Sequence, residues 1–280
     1  MILIADSGST KVDWAYFTPN GEVGRLKTMG INPAHVSDEA IVAVLSGEIL
    51  PVVPKVDSIH FFGAGVVGEQ MCTRLRDCFN AVWPDAKVEI LSDVLASGLA
   101  LFGKEQGISC ILGTGSNSCL YEDGKILSSV KAGGFILGDE GSGVWIGKEL
   151  LSDYIKGIMP EPLLEKMEDE YKLTYPEIVS RVYREDRPAA YLAEFCLFAA
   201  RNSADPYIES LVKRGFKDFL VRNVMRYEGF SDKQVGFVGS VAFNFQEWLL
   251  DLCAAENIRV KKIMKAPIDA LIEYYKTQGE

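Results

Sequence analysis

The turn Gly113-Thr114-Gly115-Ser116 is followed by two adjacent carboxylates in the run Gly138-Asp139-Glu140-Gly141-Ser142-Gly143. Glycines in such a turn permit positive φ and let backbone N–H groups approach an anion closely. Thr114 and Ser116 add hydroxyl donors. Acids next to a phosphate-sized turn suit phosphate together with a divalent cation, or a polyhydroxylated substrate. A second turn of the same kind, Asp6-Ser7-Gly8-Ser9-Thr10-Lys11, follows the first apolar run. Asp6 there reads either as an ordinary turn aspartate or as a ligand of Mg²⁺, which favours a few carboxylates and retained waters. Lys11 suits a phosphate or a surface strand equally. Asp93 follows the strand end Leu91-Ser92. It reads as a helix N-cap, or as a carboxylate that takes the proton of a hydroxyl attacking phosphorus. At Val238-Gly239-Ser240 a strand meets a helix, and a glycine at such a junction admits a flat ring or a ribose.

One motif competes with these. Gly63-Ala64-Gly65-Val66-Val67-Gly68 fits the GxGxxG dinucleotide pattern, follows a predicted strand and opens a helix. The next acid after a strand, Asp93, lies farther along than the roughly 20 residues such sites use. The motif also sits mid-domain, so a substrate-approach loop is the better reading. No GxxxxGK[ST] run occurs, which argues against a P-loop. The six cysteines form no CxxC, and His35 and His60 are the only histidines, so a Cys/His zinc site is disfavoured. Cys110 and Cys119 face each other if the 113–116 turn is symmetric. With no export signal they are expected as reduced, buried thiols.

The elements that must carry these residues repeat. A strand over 1–5, the first turn, a strand over 11–17, the Pro19-Asn20-Gly21-Glu22 hairpin and a strand over 23–29 form one unit. Strand 108–112, the second turn, strand 117–121, the Asp123-Gly124 hairpin and strand 125–130 form another. Helix 36–50, strand 58–62, helix 68–82, strand 87–91 and helix 94–102 complete the first half. The second half continues through a helical stretch punctuated by Pro160, Pro162, Pro176, Pro188 and Pro206. It ends with strand 235–238, helix 240–253, strand 258–260 and helix 268–275. The class is α/β.

With 280 residues, 48% hydrophobic and 24% charged, the chain has the composition of a soluble globular protein. A net charge of −10 argues against nucleic acid and anionic membrane as partners. The N-terminus has no basic region and too short an apolar run for a signal peptide, so a cytoplasmic setting is expected.

Taken in order, Asp6-Ser-Gly-Ser-Thr-Lys11, Gly113-Thr-Gly-Ser-Asn117 and Val238-Gly-Ser-Val241 resemble the two phosphate motifs and the adenosine motif of the actin/hexokinase/Hsp70 ATPase superfamily. With Ser92-Asp93 and the Gly138–Gly143 run, the chain is similar over its whole length to the BadF/BadG/BcrA/BcrD ATPases, most closely their N-acetylglucosamine kinase branch. The resemblance implies two ribonuclease-H-like domains closing over ATP, Mg²⁺ and a sugar. One would span 1–107, joined by the C-terminal helix 266–280. The other would span 108–265, with a helical insertion over about 143–230. It implies Asp93 as general base for the sugar 6-hydroxyl, Asp6 as the Mg²⁺ carboxylate, and Ser9, Thr10, Lys11, Thr114, Gly115, Gly239 and Ser240 around ATP. Asn32, Ser116, Asn117, Gly133, Gly134 and Asp139 would meet the amino sugar. A homodimer is also implied.

Two departures accompany it. The family's loop before the acidic run usually carries a tryptophan, where this chain has Ala132-Gly133-Gly134-Phe135, which bears on the choice of sugar. Asp269 stands where the superfamily prefers glycine. Two other readings exist: an ATPase activator of a 2-hydroxyacyl-CoA dehydratase or benzoyl-CoA reductase type of system, which would need cluster-ligating cysteines, and a non-catalytic sugar-binding regulator, for which no helix-turn-helix precedes Met1.

Overall fold

The apolar run Ile2–Ser7 forms β1 at the centre of a five-stranded sheet, in a computed structural model that describes residues 1–8, 10–18, 21–34 and 36–278. In chain order the first elements are β1, β2 (Lys11–Phe17), β3 (Val23–Met29), α1 (Asp38–Val44), β4 (Ser58–Gly63), α2 (Glu69–Val82), β5 (Lys87–Ser92) and α3 (Asp93–Phe102). β6 (Gly107–Leu112), β7 (Ser116–Glu122), β8 (Lys125–Val130) and the short α4 (Gly134–Leu137) follow. Next come α5 (Gly143–Ile155), α6 (Glu161–Tyr171), α7 (Tyr175–Tyr183), α8 (Pro188–Arg201) and α9 (Pro206–Arg222). The chain closes with β9 (Gln234–Val238), α10 (Ser240–Asn244), α11 (Gln246–Ala255), β10 (Arg259–Met264) and α12 (Ile268–Gln278).

The sheet orders are β3-β2-β1-β4-β5 and β8-β7-β6-β9-β10. Counted from the first strand of each, both read 3-2-1-4-5, so the repeated hairpins signal a repeated sheet. β1 pairs antiparallel with β2 and parallel with β4, and β4 parallel with β5. β6 runs parallel to β9, and β9 to β10. The Asp123-Gly124 hairpin has φ of 43° and 75°, the left-handed pair that type I′ turns require.

The chain divides into two units. One holds Met1–Glu105, Tyr121–Ile126 and Ala266–Glu280; the other holds Gln106–Leu120 and Leu127–Lys265. The first is built on Trp14, Phe61, Phe79 and Trp83, with Phe61 and Phe79 centroids 5.3 Å apart. Both buried indoles are satisfied: Trp14 donates to Thr28 Oγ1 at 2.9 Å and Trp83 to the Val53 carbonyl at 3.1 Å. In this unit Arg25 on β3 pairs at 2.5 Å with Asp269 in the first turn of α12, which gives that aspartate a local reason to be there. The second unit packs Phe195, Phe198, Phe216, Phe219 and Phe237 into one core. Pro162, Pro176, Pro188 and Pro206 lie in the first turns of α6, α7, α8 and α9, where a missing N–H costs nothing, and Pro160 caps α6.

Three expected elements differ. The helix expected over 36–50 is α1 up to Val44 and then a wider turn over Leu45–Ile49, closed by Leu50 N–H donating to the Leu45 carbonyl at 2.8 Å. The helix expected over 240–253 breaks at Phe245 into α10 and α11. The last strand is longer than expected, Arg259–Met264.

Candidate functional site

Strand register gathers the acids of the first unit. Ser7 pairs with Gly63 and Gly63 with Ser92, so β1, β4 and β5 end side by side. Asp6 lies one residue before that line and Asp93 one residue after it. In parallel sheets this C-terminal edge is where ligands bind. Loss of solvent, then the nearby Asp93 and Asp13 carboxylates, raise the Asp6 pKa to about 7, with Lys11 opposing. Asp93 opens α3 and accepts the Val94 N–H at 2.8 Å. That bond and the helix N-terminus favour the anion, but burial outweighs them and holds Asp93 at about 6.

Asp13 is a residue that sequence reading missed. It pairs directly with Asp6 across the β1–β2 ladder and is buried. Lys11 Nζ donates to it at 2.5 Å, and Lys27 Nζ lies 3.5 Å away. The signal was present: a tight turn between two strands fixes which residues oppose, and an acid interrupts the apolar Val12–Ala15 run. Lys11 is thus engaged with Asp13. Thr10 is exposed, with its carbonyl receiving the Gly30 N–H at 3.1 Å. Ser9, expected near ATP, lies outside the described residues, as do Pro19, Asn20 and His35.

The donor set suits a hard cation. Asp6, destabilised as an anion by burial and by the Asp93 and Asp13 carboxylates beside it, is a group that a divalent ion with several retained waters would relieve. Among the described residues no three His, Cys, Asp or Glu side chains gather into a full protein cage.

In the second unit the acidic run grips the glycine turn. Gly143 N–H donates to the Gly113 carbonyl at 2.8 Å and Val144 N–H to the Thr114 carbonyl at 3.0 Å, so the start of α5 is fastened to the turn. Ser142 Oγ caps α5 by accepting the Trp145 N–H. Asp139, in the left-handed region at φ 56°, accepts the buried Ser116 N–H at 3.0 Å. Burial raises its pKa, the Ser116 bond opposing and neighbouring Glu140 adding to the rise. Asn117 turns its side-chain oxygen to the Ser118 N–H at 2.9 Å.

The positive φ expected at the turn glycines is absent. Neither Gly113 nor Gly115 has positive φ. A Cβ on Gly115 would lie 3.0 and 3.2 Å from the Asp139 carboxylate oxygens, so its bareness makes room for that acid. Gly239, at φ 133°, would place a Cβ 2.1 Å from the Leu112 carbonyl oxygen and 2.9 Å from Gly113 N. What it admits is the backbone of the phosphate-type turn. Ser240, next to it, begins α10 and is exposed. Gly133 and Gly134 both have positive φ, lead into α4, and are tied back by Asp139 N–H donating to the Ala132 carbonyl at 3.3 Å. Cys110 and Cys119 are buried, with the Cys110 thiol pushed well up by burial.

Two mixed sheets of identical strand order, each with a glycine turn after its first strand, form the fold of the actin-like ATPases. A protein of Porphyromonas gingivalis, named as a proposed N-acetylglucosamine kinase, is 38% identical, with all of both chains covered and a TM-score of 0.94. The chain belongs to that N-acetylglucosamine kinase family. A proposed N-acetylglucosamine kinase of Chromobacterium violaceum shares the fold at 20% identity, 98% of each chain and a TM-score of 0.71. So does a proposed N-acetylmannosamine kinase of Listeria monocytogenes, at 14% identity, 100% of this chain, 99% of the other and a TM-score of 0.54. No family model matches the chain, and no curated protein does.

Proposed function

We propose that the chain is an ATP-dependent sugar kinase that phosphorylates N-acetylglucosamine, or a close amino sugar, on its 6-hydroxyl. The observation that carries this reading is the pair Asp6 and Asp93 at one strand edge, with Asp93 held at about 6. A carboxylate with that pKa is a better proton acceptor than a solvated one and is still ionised near neutrality. Asp93 takes the proton of the 6-hydroxyl as its oxygen forms a bond to the γ-phosphorus. The bond between that phosphorus and the ADP oxygen breaks, and ADP leaves with the electron pair.

Asp6, supported by Asp13, would hold Mg²⁺, which when bound neutralises phosphate charge. Thr10, Lys11 and the Gly113–Ser116 turn serve the phosphates, and Gly239 and Ser240 the nucleoside. Asn32, Ser116, Asn117, Gly133, Gly134 and Asp139 serve the sugar, with Phe135 in place of the family's tryptophan. Residues 1–107 with 266–280, and 108–265, act as the two functional domains, in a cytoplasmic homodimer whose mass light scattering would read directly. No described helix is long and apolar enough to cross a membrane.

The test is ADP release with ATP and Mg²⁺ against N-acetylglucosamine, N-acetylmannosamine, N-acetylmuramic acid, glucosamine and glucose. Strong turnover of one acetamido sugar is the expected result. Turnover of none, with ATP still bound, would overturn the reading.

A further inference from the structure

The GxGxxG segment has no part in the reaction as described, yet its backbone is tightly specified. β4 ends at Gly63 and α2 begins after Gly68, whose φ is 80°. Between them Gly65 has φ 76°, and a Cβ there would fall 2.3 Å from Asn32 Oδ1 and 3.1 Å from Asn32 Nδ2. Asn32 is buried, and its Oδ1 also receives the Ala34 N–H at 3.0 Å. The carboxamide is thus fixed on one side by its own turn and overlaid on the other by a bare glycine.

Two further anchors hold these segments. Ser7, the residue after Asp6, is fully buried. Its Oγ donates to the Ile31 carbonyl at 2.9 Å and accepts the Ile31 N–H at 3.2 Å, while its carbonyl accepts the Ala64 N–H at 2.8 Å. One strand end therefore clamps the residue before Asn32 and the residue before Gly65. On α2, Arg74 donates to the Pro33 carbonyl at 2.5 Å, the Val36 carbonyl at 2.7 Å and the Asp38 carboxylate. Its planar fork staples the far side of the Asn32 loop to the helix that the glycine segment opens, a geometry lysine does not reproduce.

We propose that Gly65 and Arg74 are positioning residues that set sugar affinity by fixing the Asn32 carboxamide beside the Asp6 end of β1. The proposal rests on the kinase reading, in which Asn32 meets the sugar. Gly65→Ala must move the amide, because the atom in the way is the end of a short side chain. The loss of one hydrogen bond to the sugar corresponds to roughly a tenfold rise in its KM.

The experiment measures KM for the best sugar and for ATP in wild type, Gly65→Ala, Arg74→Lys, Asn32→Ala and the Asn32→Ala/Gly65→Ala double variant. The expected result is a rise of about tenfold in sugar KM for Gly65→Ala and a smaller one for Arg74→Lys, with ATP KM within about twofold. In the Asn32→Ala background the added alanine should change sugar KM by less than about twofold, since no amide remains to displace. Strain at positive φ alone would act equally in both backgrounds, and that outcome would overturn the proposal, as would an equal rise in ATP KM. If Gly65→Ala does not fold, the Arg74→Lys split between the two KM values decides. Sugar turnover unchanged in both variants removes the positioning role alone. A wild type that turns over no amino sugar removes the kinase reading and this inference with it.

Discussion

Asp139 reaches the Ser116 N–H at 3.0 Å only because Gly115, the residue before Ser116, has no side chain to stand in its path. Asp139→Ala leaves that buried N–H unpaired, at a cost of about 1–3 kcal/mol. Asp139→Asn keeps an oxygen acceptor and should recover most of this in urea denaturation. If turnover stays low in the asparagine variant while stability returns, the negative charge acts on the substrate. If activity returns with stability, Asp139 only braces the turn.

Asp93→Asn removes the proton acceptor but keeps an oxygen for the Val94 N–H. The kcat should fall by roughly 10²–10⁴, with the ATP dissociation constant, read by calorimetry, little changed. Near-normal turnover would take the role of base away from Asp93.

Glycines 113 and 239 make a paired test. A Cβ on Gly239 meets the Leu112 backbone at 2.1 and 2.5 Å, atoms that cannot step aside, whereas one on Gly113 meets nothing within 4 Å. Gly239→Ala should therefore cost more than about 3 kcal/mol or abolish soluble expression. Gly113→Ala should stay within about 1 kcal/mol of wild type by thermal denaturation. A rise in its ATP KM would then report crowding of the phosphates.

His60 supplies a pH dependence away from the chemistry. It stacks on Tyr275 of α12 at 4.2 Å, and its Nδ1 lies 3.0 Å from Glu89. Burial lowers its pKa; Glu89 opposes this and Lys87 adds to it. The unfolded chain therefore takes up the proton more readily than the folded one. The contribution of neutral His60 is complete above the unfolded value of about 6.5 and is lost as pH falls from there to the lower folded value. Glu89, lowered chiefly by Lys87, acts in a separate window below 4.5. Asp6 and Asp93, whose raised pKa values act with the opposite sign over the same range, are common to wild type and His60→Phe. The His60 effect is therefore read as a difference: the urea midpoint of wild type minus that of His60→Phe should fall as pH drops from 6.5 toward 5.

What could be read without coordinates was local chemistry. Asp123-Gly124 announces its hairpin because few residue pairs accept two positive φ values. The prolines announce helix starts for the same kind of reason. The twin turns led to the twin sheets. Two things stayed hidden because they depend on residues far apart in sequence. Asn32 and Gly65 meet through a strand-end serine that binds both segments. Gly239 is bare on account of Leu112. Asp13 is a different case: the hairpin that sets it opposite Asp6 is local, and the pairing follows once the turn between the two strands is placed. The break at Phe245 carries no proline or glycine signal, whereas the wide turn after Val44 holds Gly47 and is followed by Pro51, breakers that an apolar spacing read straight through to Leu50 passes over.

The scattered cysteines have a practical consequence. Cys78 lies in the first core, and Cys110, Cys196 and Cys253 in the second. Burial lifts their thiols to about 11 for Cys78 and about 12 for Cys196 and Cys253, and raises that of Cys110 as well. Shielded and protonated, they resist alkylation while the fold is closed and yield when it opens. The molecule thus carries its own clock in each core, and peptide-resolved alkylation would time the opening of one core independently of the other.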